Sequence, residues 1–307
     1  MKEQQQKPSL ESTLKSMDTE EFIDIHFYRP IGYQWALFFH KLGVTPNAIT
    51  VASIFIGIAA GICFYPKDLT INVIGMLLLI WANSYDSADG QLARMTGQKS
   101  ALGRILDGTA GDFWFIAIYA AICLRLTPEW GIWIWLLAAV TGWFHSKQAA
   151  MADYYRNIHL LFLKGKSGSE LSHSPQLKEN FKKMSWKKEF IYKLFEMFYI
   201  NYTQGQEAWT PRFQAMMQRI RTEYNGQAPT DFCQAFRLRS LPLMKYTNML
   251  SFNTRVIALF VSIIVRMPWL YFAFELTVLN LMLVYMILRH ERICRNFLTE
   301  LNNGTYK

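Results

Sequence analysis

The chain of 307 residues carries 32 Lys and Arg against 23 Asp and Glu, a net charge of +9, and is 51% hydrophobic and 15% aromatic. So much apolar material excludes a disordered chain, while a mean hydropathy of +0.07 is too low for a chain buried in lipid throughout and suits apolar spans alternating with polar segments. The cysteines Cys63, Cys123, Cys233 and Cys294 are far apart with no Cys-x-x-Cys pair, which argues against a zinc site or disulfide framework, and the basic balance points to anionic partners.

Residues 1–20 form a polar tail without the apolar centre of a cleavable signal peptide, so none is expected. Residues 21–43 mix Phe, Tyr, Trp and Ile with Asp24, Arg29 and Lys41, the pattern of an amphipathic helix at a membrane interface, kinked or restarted at Pro30. An ordinary surface helix is the alternative there. Uncharged apolar runs then follow at Ala48–Tyr65, Thr70–Tyr85, Phe113–Leu124, Trp130–Ser146 and Val256–Val265, and a last one at Met267–Leu288 is interrupted only by Glu275. Several fall short of the roughly 20 residues a spanning helix needs. Tight turns at Tyr65-Pro66-Lys67-Asp68 and Arg266-Met267-Pro268, and extension of the short runs into polar turns, favour six membrane helices in residues 44–163 and 250–290.

Six spans place both termini, the 94–104 loop and residues 147–255 on one side. That side holds 29 of the 32 Lys and Arg and leaves only Lys67, Arg125 and Arg266 opposite, so it is expected to be cytoplasmic. The expected protein is therefore multi-pass, in a cytoplasmic (inner) or internal membrane, with a cytoplasmic tail over 291–307. Lys164-Gly165-Lys166-Ser167-Gly168-Ser169 reads as a hinge opening a basic, helical, aromatic-rich insertion over 164–249. From Asp153 to Lys245 the local charge is +7. No nucleic-acid recognition motif accompanies it, and attraction to anionic lipid is the simpler explanation. A lid, a partner platform and a membrane-surface anchor are the roles open to the insertion. The fold class is all-α: a six-helix membrane bundle with an N-terminal interfacial helix and a helical cytoplasmic insertion.

The chemistry concentrates between Asp86 and Asp112. Asp86, Asp89, Gly90, Ala93 and Arg94 are spaced i, i+3, i+4, i+7 and i+8, one stripe of a helix. Gly103, Asp107 and Gly111 repeat every four residues on the next. Carboxylates beside an apolar run are costly unless paired or bound to a cation. On two successive antiparallel helices they can converge, and clustered oxygen ligands suit Mg²⁺ or Mn²⁺. Gly90, Ala93 and Gly103 leave room for a ligand, and Arg94 is a ready phosphate partner. Carboxylates, a divalent ion and an arginine are the components of transfer at a diphosphate.

The segment Asp86-Ser87-Ala88-Asp89-Gly90-Gln91-Leu92-Ala93-Arg94, then Gly103 and Asp107, resembles the signature of CDP-alcohol phosphatidyltransferases, D-x2-D-G-x2-A-R-x7/8-G-x3-D-x3-D. The likeness extends to the six-helix plan and to Thr45-Pro46-Asn47-Ala48-Ile49-Thr50 opening the first span, but not to residues 165–249. It implies that Asp86, Asp89 and Asp107 hold the metal at the donor diphosphate. It likewise implies that Asn47, Thr50, Gly90, Ala93, Arg94, Ser100 and Gly103 line the CDP site. Homodimerisation is the family habit.

One position departs from the pattern. The family's last Asp falls on Gly111, with Asp112 following it. In the family that acid helps hold metal and is the proposed base for the acceptor hydroxyl. One extra residue turns a side chain by about 100°. A π-bulge between Asp107 and Asp112 would restore its facing, Asp112 could serve as metal ligand and base from a shifted position, or the base is lost. Asp112 is taken as metal ligand and base, with the π-bulge as the first expectation for how it is brought into place.

The resemblance implies transfer of a phosphatidyl group from CDP-diacylglycerol to a polar alcohol (inositol phosphate, inositol or glycerol phosphate) with loss of CMP. CDP-choline or CDP-ethanolamine acting on diacylglycerol is a variant. Lys147, Arg156 and Arg255, at cytoplasmic helix ends, could cradle an acceptor phosphate, although such residues usually anchor helices. His145 reads as a packing residue, and Glu275 must face the protein interior. A Mg-diphosphate-dependent prenyltransferase and a cation-coupled transporter are the rival readings, and neither explains the Gly-x-x-Ala-Arg continuation.

Overall fold

A computed structural model describes residue 10 and residues 16–98 and 101–306, without the side chains of residues 101, 102 and 104. Every regular element among them is helical. A π-helical turn at Asp24–Tyr28 leads into α1 (Arg29–Lys41), followed by α2 (Pro46–Ile62), α3 (Leu69–Thr96), α4 (Ala101–Trp130) and α5 (Trp133–Lys164). Then come α6 (Ser174–Lys183), α7 (Phe190–Ala208), α8 (Pro211–Glu223), α9 (Thr230–Met249), α10 (Phe252–Ile264), α11 (Trp269–Phe274), a second π turn at Glu275–Leu279, and α12 (Asn280–Asn302). Pro30 does not break the first helix. It is the second residue of α1 and directly follows the π-helical turn, whose i→i−5 bond from Arg29 N to Asp24 O carries the helix up to the proline.

Among the described residues, four helical segments are long and apolar enough to cross a membrane: Leu69–Thr96, Ile105–Trp130, Thr230–Ile264 and Trp269–Asn302. They carry four of the six expected runs. The Ala48–Tyr65 run lies on α2, which is apolar but only 17 residues long. The Trp130–Ser146 run enters α5, whose second half turns polar at Lys147, Asp153 and Arg156. The chain is a multi-pass membrane protein on these helices.

Two compact units divide the chain, Met1–Gly142 with Arg255–Phe274, and Trp143–Thr254 with Glu275–Lys307. In the first, α2 packs along both α3 and α4, and α1 covers α3. Small residues let these helices approach. A Cβ at Gly57 would sit 2.1 Å from Trp114 Cδ1, and one at Gly61 would sit 2.8 Å from Ala117 Cβ. Trp114 is pinned in that slot by donating from Nε1 to Ser53 O at 3.0 Å. Gly57→Leu is therefore expected to overpack the α2–α4 seam and lower stability by about 1–3 kcal/mol, read as a fall in Tm in detergent. An unchanged Tm would contradict this packing.

The far end of the same seam is closed by polar groups. Asn72 donates to Cys63 O and Pro66 O at 2.8 and 2.9 Å, and the buried Arg125 reaches Phe64 O and Asn72 Oδ1 at 3.2 and 3.0 Å. Arg125, one of the three cations expected opposite the basic side, is thus a buried clamp on the α2–α3 turn. Asp68 caps α3 by accepting from Ile71 N at 2.9 Å.

In the second unit, α12 packs against α8 and α9. Its core is aromatic: Phe236 meets Phe162 at 4.2 Å between ring centroids and Phe297 at 5.3 Å, and Phe232 meets Phe297 at 5.0 Å. Glu291 accepts from Arg212 N and Phe213 N at 2.7 and 3.2 Å, capping α8. Within residues 174–249, α8 and α9 are thus packed on α12, and α6 packs on α7. Glu275 is fully buried on the second π turn, with His145 Nδ1 3.2 Å from both carboxylate oxygens. Gln148 adds a bond from Nε2 to Glu275 O at 3.1 Å and one to Asn280 Oδ1 at 2.7 Å.

Candidate active site

The acidic stripe lies on α3, a helix of 28 residues whose regular period keeps Asp86, Asp89, Gly90, Ala93 and Arg94 on one side. Asp107 comes from α4. One carboxylate oxygen from each of Asp86, Asp89 and Asp107 lies within 4.8 Å of the others. Asp86 is half-buried, Asp89 is buried and Asp107 is exposed, so the group opens at the Asp107 side. Three carboxylates this close repel one another, and a divalent cation is the simplest neutraliser. All the donors are hard oxygens, which fits Mg²⁺ or Mn²⁺.

Neighbouring residues hold the group in place. Thr50 on α2 is buried and donates from Oγ1 to Asp89 Oδ2, fixing one oxygen of the least exposed acid. Asn47 lies three residues earlier, half-buried at the start of the same helix. A Cβ at Gly90 would stand 3.4 Å from both terminal nitrogens of Arg94, whose guanidinium folds back over the missing side chain. The charge of Arg94 interacts with those of Asp89, Asp107, Arg29 and Glu20. Ala93 and Gly103 are half-buried.

Residues to which the sequence reading gave no role in the site complete the wall. Arg29 grips Glu20 through Nε at 2.9 Å and Nη2 at 3.1 Å, and its Nη1 reaches Ser87 Oγ at 3.5 Å. Gln91 donates to Arg29 O at 3.0 Å. A Cβ at Gly32 would meet Ser87 Oγ at 2.8 Å, so α1 lies directly against the back of the acidic stripe. Ser87 and Gln91 share a helical face and are polar in an apolar helix, the one signal that pointed to a polar neighbour.

The expectation of a π-bulge is corrected. Helix α4 runs as α-helix throughout Ala101–Trp130. Asp112 therefore stands about 140° around it from Asp107. It is exposed, and the three-acid group does not include it. A Cβ at Gly108 or Gly111 would meet nothing within 4 Å, so the α4 surface around the missing acid is open. Ser100 lies outside the described residues.

Of the expected acceptor residues, Arg255 belongs to the first unit and is buried, whereas Lys147 and Arg156 belong to the second. Arg156 binds Asn248 Oδ1 from Nε and Nη2 at 3.2 and 2.9 Å and Ser251 Oγ from Nη2, tying α5 to the end of α9. Lys147 lies 5.8 Å from the centre of the Trp143 ring. A second group of metal-ligating types, His290, Glu291 and Cys294, occurs on α12. There Glu291 caps α8, and His290 packs 4.5 Å from the Tyr155 ring, which accounts for both as structural residues.

Residues 43–156 match the CDP-alcohol phosphatidyltransferase family. Members of that family are phosphotransferases. The matched residues span α2, α3, α4 and most of α5, and contain all three clustered acids. Among curated proteins, the chain is 32% identical over 92 residues to an archaetidylinositol phosphate synthase of Pyrococcus horikoshii, covering 30% of this chain and 47% of that one. It is 29% identical over 119 residues to an uncharacterised protein of Aquifex aeolicus, covering 38% of this chain and 59% of that one. The chain thus spans about half the length of the curated relatives it matches. No solved structure matches.

Proposed function

We propose that the protein transfers a phosphatidyl group from CDP-diacylglycerol to a polar alcohol and releases CMP. The observation that carries this reading is the meeting of Asp86, Asp89 and Asp107 within 4.8 Å, inside a region that matches the family. These three acids would hold Mg²⁺ or Mn²⁺. When bound, the cation supplies charge neutralisation at the donor diphosphate.

The chain's own residues do the rest. Thr50 orients Asp89 by its hydrogen bond. Arg94 binds a donor phosphate, and Gly90 leaves it the space to do so. Asn47, Thr50, Ala93, Gly103 and Ser100 line the CDP pocket. An acceptor hydroxyl oxygen forms a bond to the lipid-side phosphorus, and the bond from that phosphorus to the CMP oxygen breaks. CMP departs with the electron pair, and Asp112 takes the hydroxyl proton from its offset position.

For the acceptor, inositol phosphate leads, ahead of inositol and glycerol phosphate. The name of the Pyrococcus relative, archaetidylinositol phosphate synthase, supports that order. Lys147, Arg156 and Arg255 are the proposed acceptor cations. Six spans, an interfacial N-terminal helix, cytoplasmic termini and active site, and a homodimer complete the proposal.

The deciding experiment is CMP release from CDP-diacylglycerol by the reconstituted protein across a panel of alcohols, with and without EDTA. Release is expected with inositol phosphate, and EDTA should abolish it. No release with any alcohol would overturn the reading and favour a cation transporter.

A further inference from the structure

Helix α7 carries its apolar residues on the wrong side for packing. At about 100° per residue, Phe190, Ile191, Leu194 and Phe198 fall on one face. The buried residues Lys193, Ile200, Thr203 and Gln206 take the opposite one. Phe190, Ile191 and Phe198 are 58, 59 and 58% exposed, so among the described residues the stripe is left open apart from the Trp186 ring 5.8 Å from that of Phe190.

Basic residues collar one end of the stripe. The segment Lys182-Lys183-Met184-Ser185-Trp186-Lys187-Lys188 links α6 to α7, with all four lysines and Trp186 exposed. It is a built turn. Lys193 donates to Met184 O at 2.8 Å and stacks on Phe181 and Trp186 at 4.6 and 5.1 Å from the ring centres. Glu189 accepts from Ser185 N at 3.0 Å. The buried lysine thus pins Trp186 and the four exposed lysines beside the start of the apolar stripe.

We propose that this face, Trp186, Phe190, Ile191, Leu194 and Phe198 with Lys182, Lys183, Lys187 and Lys188, docks the insertion onto the surface of an anionic phospholipid bilayer. The chemistry matches an interfacial helix: an apolar stripe for the acyl boundary, a tryptophan for the headgroup level, and lysines for anionic lipid. Charge argues against a second copy as the occupant, because docking like faces would oppose two four-lysine collars. Two described segments long and apolar enough to cross a membrane, Thr230–Ile264 and Trp269–Asn302, lie largely in the same unit as α7 and keep such a surface within reach.

The test uses the full chain reconstituted in vesicles, with its four cysteines replaced and a nitroxide attached at Ile191→Cys. The exposed, polar Gln218→Cys on α8 serves as control. In vesicles containing about a third phosphatidylglycerol, the Ile191 label should show high oxygen and low aqueous-nickel accessibility, and the control the reverse. Changing all four lysines to Glu should return the Ile191 label to aqueous values. A water-exposed Ile191 label in anionic vesicles would overturn the proposal, as would a lipid signature that survives the lysine changes. Spin–spin broadening between copies would overturn it in favour of a dimer interface. None of these readouts depends on CMP release, so they stand or fall apart from the proposed activity.

Discussion

Asp89→Asn lowers CMP release by about 10³-fold and leaves the protein folded. The size follows from the cation's role: several kcal/mol of charge stabilisation, at about 1.4 kcal/mol per tenfold in rate. Folding survives because Asn keeps an oxygen for the Thr50 hydroxyl in a nearly identical shape. The substitution also removes one of three mutually repelling charges, so the cation-free protein should not lose stability. Mg²⁺ should raise the Tm of the wild type, by roughly 2.7 kcal/mol of stability at a hundredfold excess over Kd, and fail to do so in the variant. Full activity in Asp89→Asn would place the metal elsewhere.

The second large effect concerns the position where the chain departs from its family. Asp112→Asn is expected to lower turnover by about 10²-fold or more, the usual worth of a general base. Gly111→Asp should restore turnover in that background. An acid at 111 stands one helical turn beyond Asp107 on the same face, and a side chain there meets nothing within 4 Å. Measuring kcat for the wild type, Asp112→Asn, Gly111→Asp and the Gly111→Asp/Asp112→Asn double variant separates the possibilities. If Asp112→Asn is unchanged while Gly111→Asp alone raises the rate, then another group accepts the proton and residue 111 is a lost base.

The part of the site legible beforehand was the part set by helical period. Asp86, Asp89, Gly90, Ala93 and Arg94 are local in sequence, so the 3.6-residue repeat alone puts them on one face. Thr50 was picked out from the first span, but its bond to Asp89 bridges 39 positions and depends on how α2 packs on α3. Glu20, Arg29 and Ser87 were unreadable for the same reason: their meeting is decided by α1 lying across α3 at Gly32. The bulge expected near Asp112 did not form. Packing of α2 on α4, set at Gly57 and Trp114, is compatible with a regular α-helix, and composition alone could not show that. Four described segments meet the length and apolarity of a crossing, whereas α2 is short and α5 runs past its apolar residues beyond Ser146, so composition alone does not fix the number of spans.

The most direct test of the central claim is Mn²⁺ binding to the purified protein, followed by electron paramagnetic resonance. Tight binding is expected in the wild type and should be lost in Asp86→Asn, Asp89→Asn and Asp107→Asn alike, while Asp112→Asn retains it. Equal Mn²⁺ stoichiometry and affinity in the wild type and all three of those variants would contradict a metal held between α3 and α4.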